Sequence, residues 1–126
     1  MSLDLLLARA KAKPGASILR AYKFGDVPAL PVAPYVVLSL DTGAPSTYSL
    51  DGSSDSMVRL TVQCFGGSYD AVKDMARRAD IAFRDVVLTE IPGSPMCNRE
   101  MQTPVVDDPD GEGLLYVLHT YRYQED

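Results

Sequence analysis

The stretch "SMVRLTVQCFGGSYDAVKDMARRADIAFRDV", residues 56–86, changes its hydrophobic period in the middle. Up to Phe65 the apolar residues alternate, which is typical of a strand with one buried face. After Ser68 they recur every three or four positions, which is typical of an amphipathic helix. We therefore predict a strand over residues 57–65, a diglycine turn, and a helix that packs its apolar stripe on the sheet.

The flanking segments extend this unit in both directions. Residues 2–13 predict a short N-terminal helix that Pro14 and Gly15 end. Residues 17–23 suit a short strand, and the three prolines of "GDVPALPVAP" then predict a rigid, extended connector. Residues 35–40, which are β-branched and aromatic, predict a further strand.

Two polar stretches and the last strand complete the chain. Residues 41–56 and 90–106 are rich in Pro, Gly, Ser and Asp, so we expect long loops or irregular segments there. Residues 114–123 predict the last strand. The expected fold is one α+β domain over residues 1–126, with an antiparallel sheet of about four or five strands, one main helix across a face, and a short N-terminal helix.

Charge and composition narrow the function classes. The 126 residues carry 12 basic and 17 acidic side chains, for a formal net charge of -5. This balance disfavours a surface that binds nucleic acid or anionic membrane. No membrane span or signal peptide is evident, and we expect the protein to be made in a cytosol-like compartment. The two cysteines have neither metal-ligand spacing nor a disulfide framework, so both are expected to be reduced, with Cys64 in the interior.

The last strand carries apolar side chains on both faces over its first half. Leu115 and Val117 point one way, whereas Leu114, Tyr116 and Leu118 point the other. One helix covers one face only, so the N-terminal helix or another subunit must cover the second. This surplus of apolar surface indicates self-association.

Candidate chemistry is sparse. The acidic cluster over residues 107–112 lacks the spacing of a calcium loop and is interpreted as a hairpin turn. The only histidine, His119, lies in a Tyr-rich strand and is interpreted as a hydrogen-bonded packing residue. We therefore predict no catalytic residues, metal or other cofactor, and no small-molecule substrate.

The order of segments resembles a known family. A Leu-rich first helix, a Pro-bearing connector before "PYVVLSLDT", a Ser/Gly/Asp loop, and a terminal "GLLYVLHTYRY" resemble the tail terminator (tail completion) proteins of long-tailed bacteriophages. The most specific part is the pattern V-x-L-x-V-x-C-[FY] followed by Ser-Tyr-x-x-[AV]-x-x-x-A, which covers residues 58–76. The layout spans most of the chain.

The resemblance implies an α+β subunit that forms a ring, typically a hexamer, at the head-proximal end of the tail tube. Such a ring stops tube polymerisation and joins the tube to the head-tail connector. The implied partners are further copies of the chain, the tail tube protein and the connector protein, and the implied location is the virion tail after synthesis in the host cytoplasm. The acidic balance suits a ring through which DNA passes without specific binding.

From the apolar surplus and the polar loops we expect eight residues to contact neighbouring subunits or the tube. The last strand contributes five of them: Leu114, Tyr116, Leu118, Tyr121 and Tyr123. Tyrosine suits such positions because it offers a large contact area near water. The two long polar segments contribute Tyr48, Asp51 and Met96.

Two other functions stay open. A neck or head-completion protein of the connector uses similar small α+β subunits. A small α+β enzyme or ligand-binding domain would use His119, Cys97 and Asp110 as its nominal site. A pocket beside the imidazole would favour this second alternative.

Overall fold

The computed structural model describes residues 2–13, 17–18, 20–29, 31–41, 45–48, 54–91, 93–107 and 113–125. These residues form two helices and eight strand segments. In chain order they are α1 (Ser2–Ala12), β1 (Ala21–Lys23), β2 (Tyr35–Asp41), β3 (Pro45–Tyr48), β4 (Ser54–Gly66), α2 (Tyr69–Phe83), β5 (Val86–Val87), β6 (Met96–Gln102), β7 (Val106–Asp107) and β8 (Leu115–Glu125).

The strands form one sheet in the order β1-β2-β4-β8-β6-β5, with β3 paired to β4 and β7 to β8. β4 and β8 are antiparallel from Ser56 opposite Glu125 to Gly66 opposite Leu115. The α+β class is confirmed, but the sheet has more strands than the expected four or five and is mixed. β1 runs parallel to β2 because the connector carries the chain back to the same end of the sheet.

The expectation of an irregular segment over residues 90–106 is corrected. β6 lies within it and pairs with β8 from Asn98 opposite Arg122 to Gln102 opposite His119. Its sequence "MCNREMQ" lacks alternation because only Cys97 is buried. Backbone pairing with β8, rather than a pattern of its own, makes it a strand. Residues 41–56 likewise contain β3 and the start of β4, which pair as a hairpin.

The β4–α2 unit has the predicted design. Val58, Leu60, Val62 and Cys64 are fully buried, as alternation requires. The Ser68 hydroxyl caps α2 by accepting from the Ala71 amide at 3.2 Å. The predicted stripe of Val72, Ala76, Ala79 and Phe83 packs into the same core.

Gly66 lets the strand and helix approach closely. A Cβ at this position would lie 3.0 Å from Val72 Cγ2 and 3.1 Å from Ala71 Cβ. A side chain would therefore push the first turn of α2 away from β4.

α1 packs on the same side of the sheet as α2. Leu6 and Ala10 join the core that α2 covers. Arg9 fixes the contact, since its Nε donates to the Ala82 carbonyl at 2.7 Å and a terminal guanidinium nitrogen lies 2.9 Å from Glu90 Oε1. The N-terminal helix is thus not the element that covers the second face.

Candidate interaction surfaces

The last strand divides its side chains strictly between the two faces. Tyr121 and Tyr123 are 0% and 2% exposed and lie in the core beneath the helices. They share parity with buried Val117, so the alternation itself contained this information. The expectation that these two tyrosines contact other subunits is therefore corrected, because one subunit already encloses them.

The second, open face carries an aromatic cluster at one end. The rings of Tyr35 and Phe65 stack with centroids 4.7 Å apart, and Phe65 lies 5.9 Å from Tyr116. Tyr22 meets Tyr35 edge-on at 6.2 Å. These distances suit favourable aromatic pairs.

The connector covers part of this cluster. Val27 and Ala33 pack against Tyr35 and its neighbours, as do Leu114 and Tyr116, which remain partly exposed. The expectation that α1 or another subunit must cover the second face is corrected at this end, where Tyr22, Val27 and Ala33 of the same chain pack on it.

The opposite end of the open face is charged. Arg59 donates from Nε to Glu100 Oε1 at 3.0 Å, and Arg122 lies 3.9 Å from the other Glu100 oxygen. The open face thus runs from an aromatic end to an ion-paired end. Leu118 lies partly exposed between these two regions.

Further apolar side chains are exposed near the sheet edges. Phe24 is 78% exposed, Val32 is 59% exposed, and Met96 on β6 is 50% exposed. Only the backbone of Tyr48, in β3, is described, and Asp51 lies outside the described residues.

A buried polar cluster links α2, β6 and β8. The Tyr121 hydroxyl donates to Asp80 Oδ1 at 2.7 Å, and Arg99 donates to Asp80 Oδ2 at 2.9 Å. His119 Nδ1 lies 3.1 Å from Asp80 Oδ1 and 3.0 Å from the Tyr121 oxygen. Since the tyrosine hydrogen is committed to the carboxylate, Nδ1 carries its own hydrogen.

The cluster shifts two pKa values. Burial would raise the pKa of Asp80, but hydrogen bonds from His119 and Tyr121, with the charge of Arg99, outweigh it and lower this pKa. Burial and the Asp80 carboxylate raise the pKa of Tyr121 far above its usual range. The cluster therefore holds an ionised Asp80 and a neutral Tyr121.

Sequence reasoning identified His119 as a packing residue but missed its partners. The signal was present, because His119 has core parity on β8 and Asp80 borders the apolar stripe of α2. A buried imidazole needs a polar partner, and this carboxylate was within reach.

A groove does lie beside the imidazole of His119, but the nominal enzyme trio is not brought together among the described residues. Cys97 occupies the position of β6 next to Asn98, which pairs with Arg122, whereas His119 pairs with Gln102. The two residues are thus separated by about 13 Å along the strands. Burial also raises the pKa of the Cys97 thiol to about 12, which keeps it protonated. Asp110 lies outside the described residues.

Neither a metal site nor a membrane-spanning helix is found in the described ranges. No three His, Cys, Asp or Glu side chains in them converge as a possible metal site. Neither helix of the described chain has the length and apolar character to cross a bilayer.

No protein-family profile matches this chain, and no curated protein matches it either. Among solved structures, it is similar to a chain from the virion of a native gene transfer agent (GTA) particle, with a TM-score of 0.72 and 14% sequence identity. The similarity covers 94% of this chain and 90% of the other. The two chains therefore share a fold over almost their whole lengths.

Proposed function

We propose that this chain is a structural subunit of a phage-type virion and acts as its tail terminator. In this role, six copies of the chain form a ring that caps the head-proximal end of the tail tube. The ring stops polymerisation of the tube protein and joins the tube to the head-tail connector. The observation that supports the virion role is the near full-length fold similarity to a gene transfer agent virion chain.

The narrower terminator role rests on the sequence pattern over residues 58–76 and on the shape of the subunit. β4 has 13 residues and spans about 43 Å, whereas the 15 residues of α2 span about 22 Å. β4 is therefore longer than α2, and its first residues, which pair with β3, offer backbone to a neighbour. Phe24, which follows β1, and Val32, in the connector, add exposed apolar area that suits assembly.

Closed rings need two different, complementary surfaces on each subunit. The sheet ends at β1 on one side and at β5 and β6 on the other, which supplies two unlike edges. We place Leu114, Tyr116, Leu118 and Met96 among the contacts, since each keeps exposed or partly exposed area. Catalysis has no part in this proposal.

The experiment combines mass in solution with assembly. The full chain is examined by light scattering and negative-stain microscopy, alone and with polymerising tail tube protein of the same virion. We expect a ring with a central hole, six subunits by mass, and tubes of arrested length with the protein at one end. Tubes that grow unchanged in its presence would contradict termination, and binding to the connector without binding to tubes would indicate a neck protein.

A further inference from the structure

A groove runs between α2 and the strands β6 and β8 on the helix-covered side of the sheet. We call it the α2 groove; besides the carboxylates of Asp80 and Asp85, its lining includes Lys73, Arg77, Ile81, Arg84, Gln102 and His119. Its volume is about 400 Å³. It is open to solvent along one side of the helix, so an extended segment of another chain can enter it.

The α2 groove has more positive than negative charge. Three cations line it against two carboxylates: Lys73, Arg77 and Arg84 against Asp80 and Asp85. The Lys73 ammonium lies over the Tyr69 ring, 5.6 Å from its centre. This excess stands out in a chain with a formal net charge of -5.

His119 adds a second, independent observation. Its side chain lines the α2 groove and is 1% exposed, and its Nδ1 already faces Asp80 and Tyr121. The other ring nitrogen, Nε2, is buried and has no hydrogen-bond partner among the described residues. A buried polar atom of this kind costs free energy unless a ligand pairs with it.

We propose that the α2 groove receives a carboxylate-bearing segment of a second copy of this chain, as one half of a head-to-tail contact. The occupant follows from charge complementarity, since each copy carries 17 acidic against 12 basic side chains. A carboxylate of the segment pairs with the cations at the rim, and a backbone N–H of the same segment donates to His119 Nε2, which is an acceptor because Nδ1 carries the ring hydrogen. The same acidic balance disfavours DNA as the occupant. This inference rests on the proposed ring and deepens it.

The test uses the full chain as its own probe. Sedimentation of the wild type, of Lys73→Glu/Arg77→Glu, and of the matched control Lys11→Glu/Lys13→Glu is compared at low and high salt. We expect the groove variant to associate at least about tenfold more weakly, and the control to associate like the wild type. Salt should weaken self-association of the wild type and have little further effect on that of the groove variant. Thermal unfolding checks that all three chains fold.

The single histidine offers a direct readout that a general loss of charge would not move. Because His119 is the only histidine, imidazole nitrogen NMR signals report on this residue alone. We expect the Nε2 signal to shift as the wild type associates and to stay unchanged in the groove variant over the same concentrations. If the Nε2 signal of the wild type does not shift as the protein associates, the proposal is wrong.

The outcomes separate this inference from the proposed function. If the groove variant forms rings and caps tubes as the wild type does, the α2 groove is not the contact and the terminator role stands. If the wild type makes groove-dependent assemblies that leave tubes uncapped, the inference stands and the terminator role fails. If the wild type associates neither alone nor at tube ends, both are wrong.

Discussion

The two faces of the central sheet differ in how completely the chain covers them. The face beneath α1 and α2 buries Val58, Leu60, Val62 and Tyr121 fully. The open face is covered at its aromatic end by the connector and carries the Arg59–Glu100 ion pair at the other. The covered face stabilises the subunit, whereas the open face keeps exposed surface that the proposed assembly would use.

The largest expected effect is a cavity beneath the helices. Leu60→Ala should lower the free energy of unfolding by about 2–5 kcal/mol, because the fully buried side chain leaves a void. Leu118→Ala, the same change on the open face, should cost less than about 1 kcal/mol. Chemical denaturation of both variants measures the contrast, and equal losses would show that the open face also stabilises the subunit.

A smaller loss is expected from the polar cluster. Asp80→Asn should lower the free energy of unfolding by about 2 kcal/mol, since Arg99, Tyr121 and His119 lose a charged acceptor. Asp85→Asn is the matched control, because that carboxylate is exposed and lies 3.7 Å from Arg84, and should change stability by less than about 0.5 kcal/mol. Denaturation midpoints that agree for the two variants would argue against the cluster.

The lowered pKa of Asp80 predicts that the free energy of unfolding depends on pH and falls in acid. The unfolded carboxyl titrates at about pH 3.9 and the folded one lower, so the unfolded state binds more protons in between. Its contribution to stability is present above the unfolded pKa and is lost as the pH falls through the folded pKa. We measure the free energy of unfolding from about pH 6 downward in steps of about one pH unit. It should fall more steeply for the wild type than for Asp80→Asn.

The smallest effect on stability is expected at the exposed side chain of Phe24, which follows β1. Phe24→Ser should change the free energy of unfolding by less than about 0.5 kcal/mol, because the ring is 78% exposed. The same change should weaken self-association, which sedimentation measures. If Phe24→Ser unfolds more easily yet associates as the wild type does, Phe24 stabilises the subunit and does not contribute to assembly.

The sequence supported the fold better than the surfaces. The β4–α2 unit was predictable because each of its positions repeats a period of two or of about 3.6, and the periods change at Gly66. β6 was not, because its side chains are mostly exposed and only its backbone is paired. Met96 was named as a contact without the knowledge that it lies on a strand.

The candidate sites show the same limit. Tyr121 and Tyr123 were assigned to contacts by residue type, although their parity with Val117 predicts the core. The cluster of Asp80, Arg99 and His119 joins three elements, so no local pattern could assemble it. The α2 groove depends on the same packing of a helix against two strands.

The amino-acid sequence by itself determined the class of fold, the covered face of β4, the start of α2 at Ser68 and the acidic balance. These properties follow from local periodicity and composition, which each segment carries alone. Only the tertiary structure decided that β1 pairs in parallel, that the connector covers the aromatic end of the open face, and that Asp80 turns toward His119. Those depend on contacts between residues far apart in the chain, whose free energies compete with one another and have no signature in any single segment.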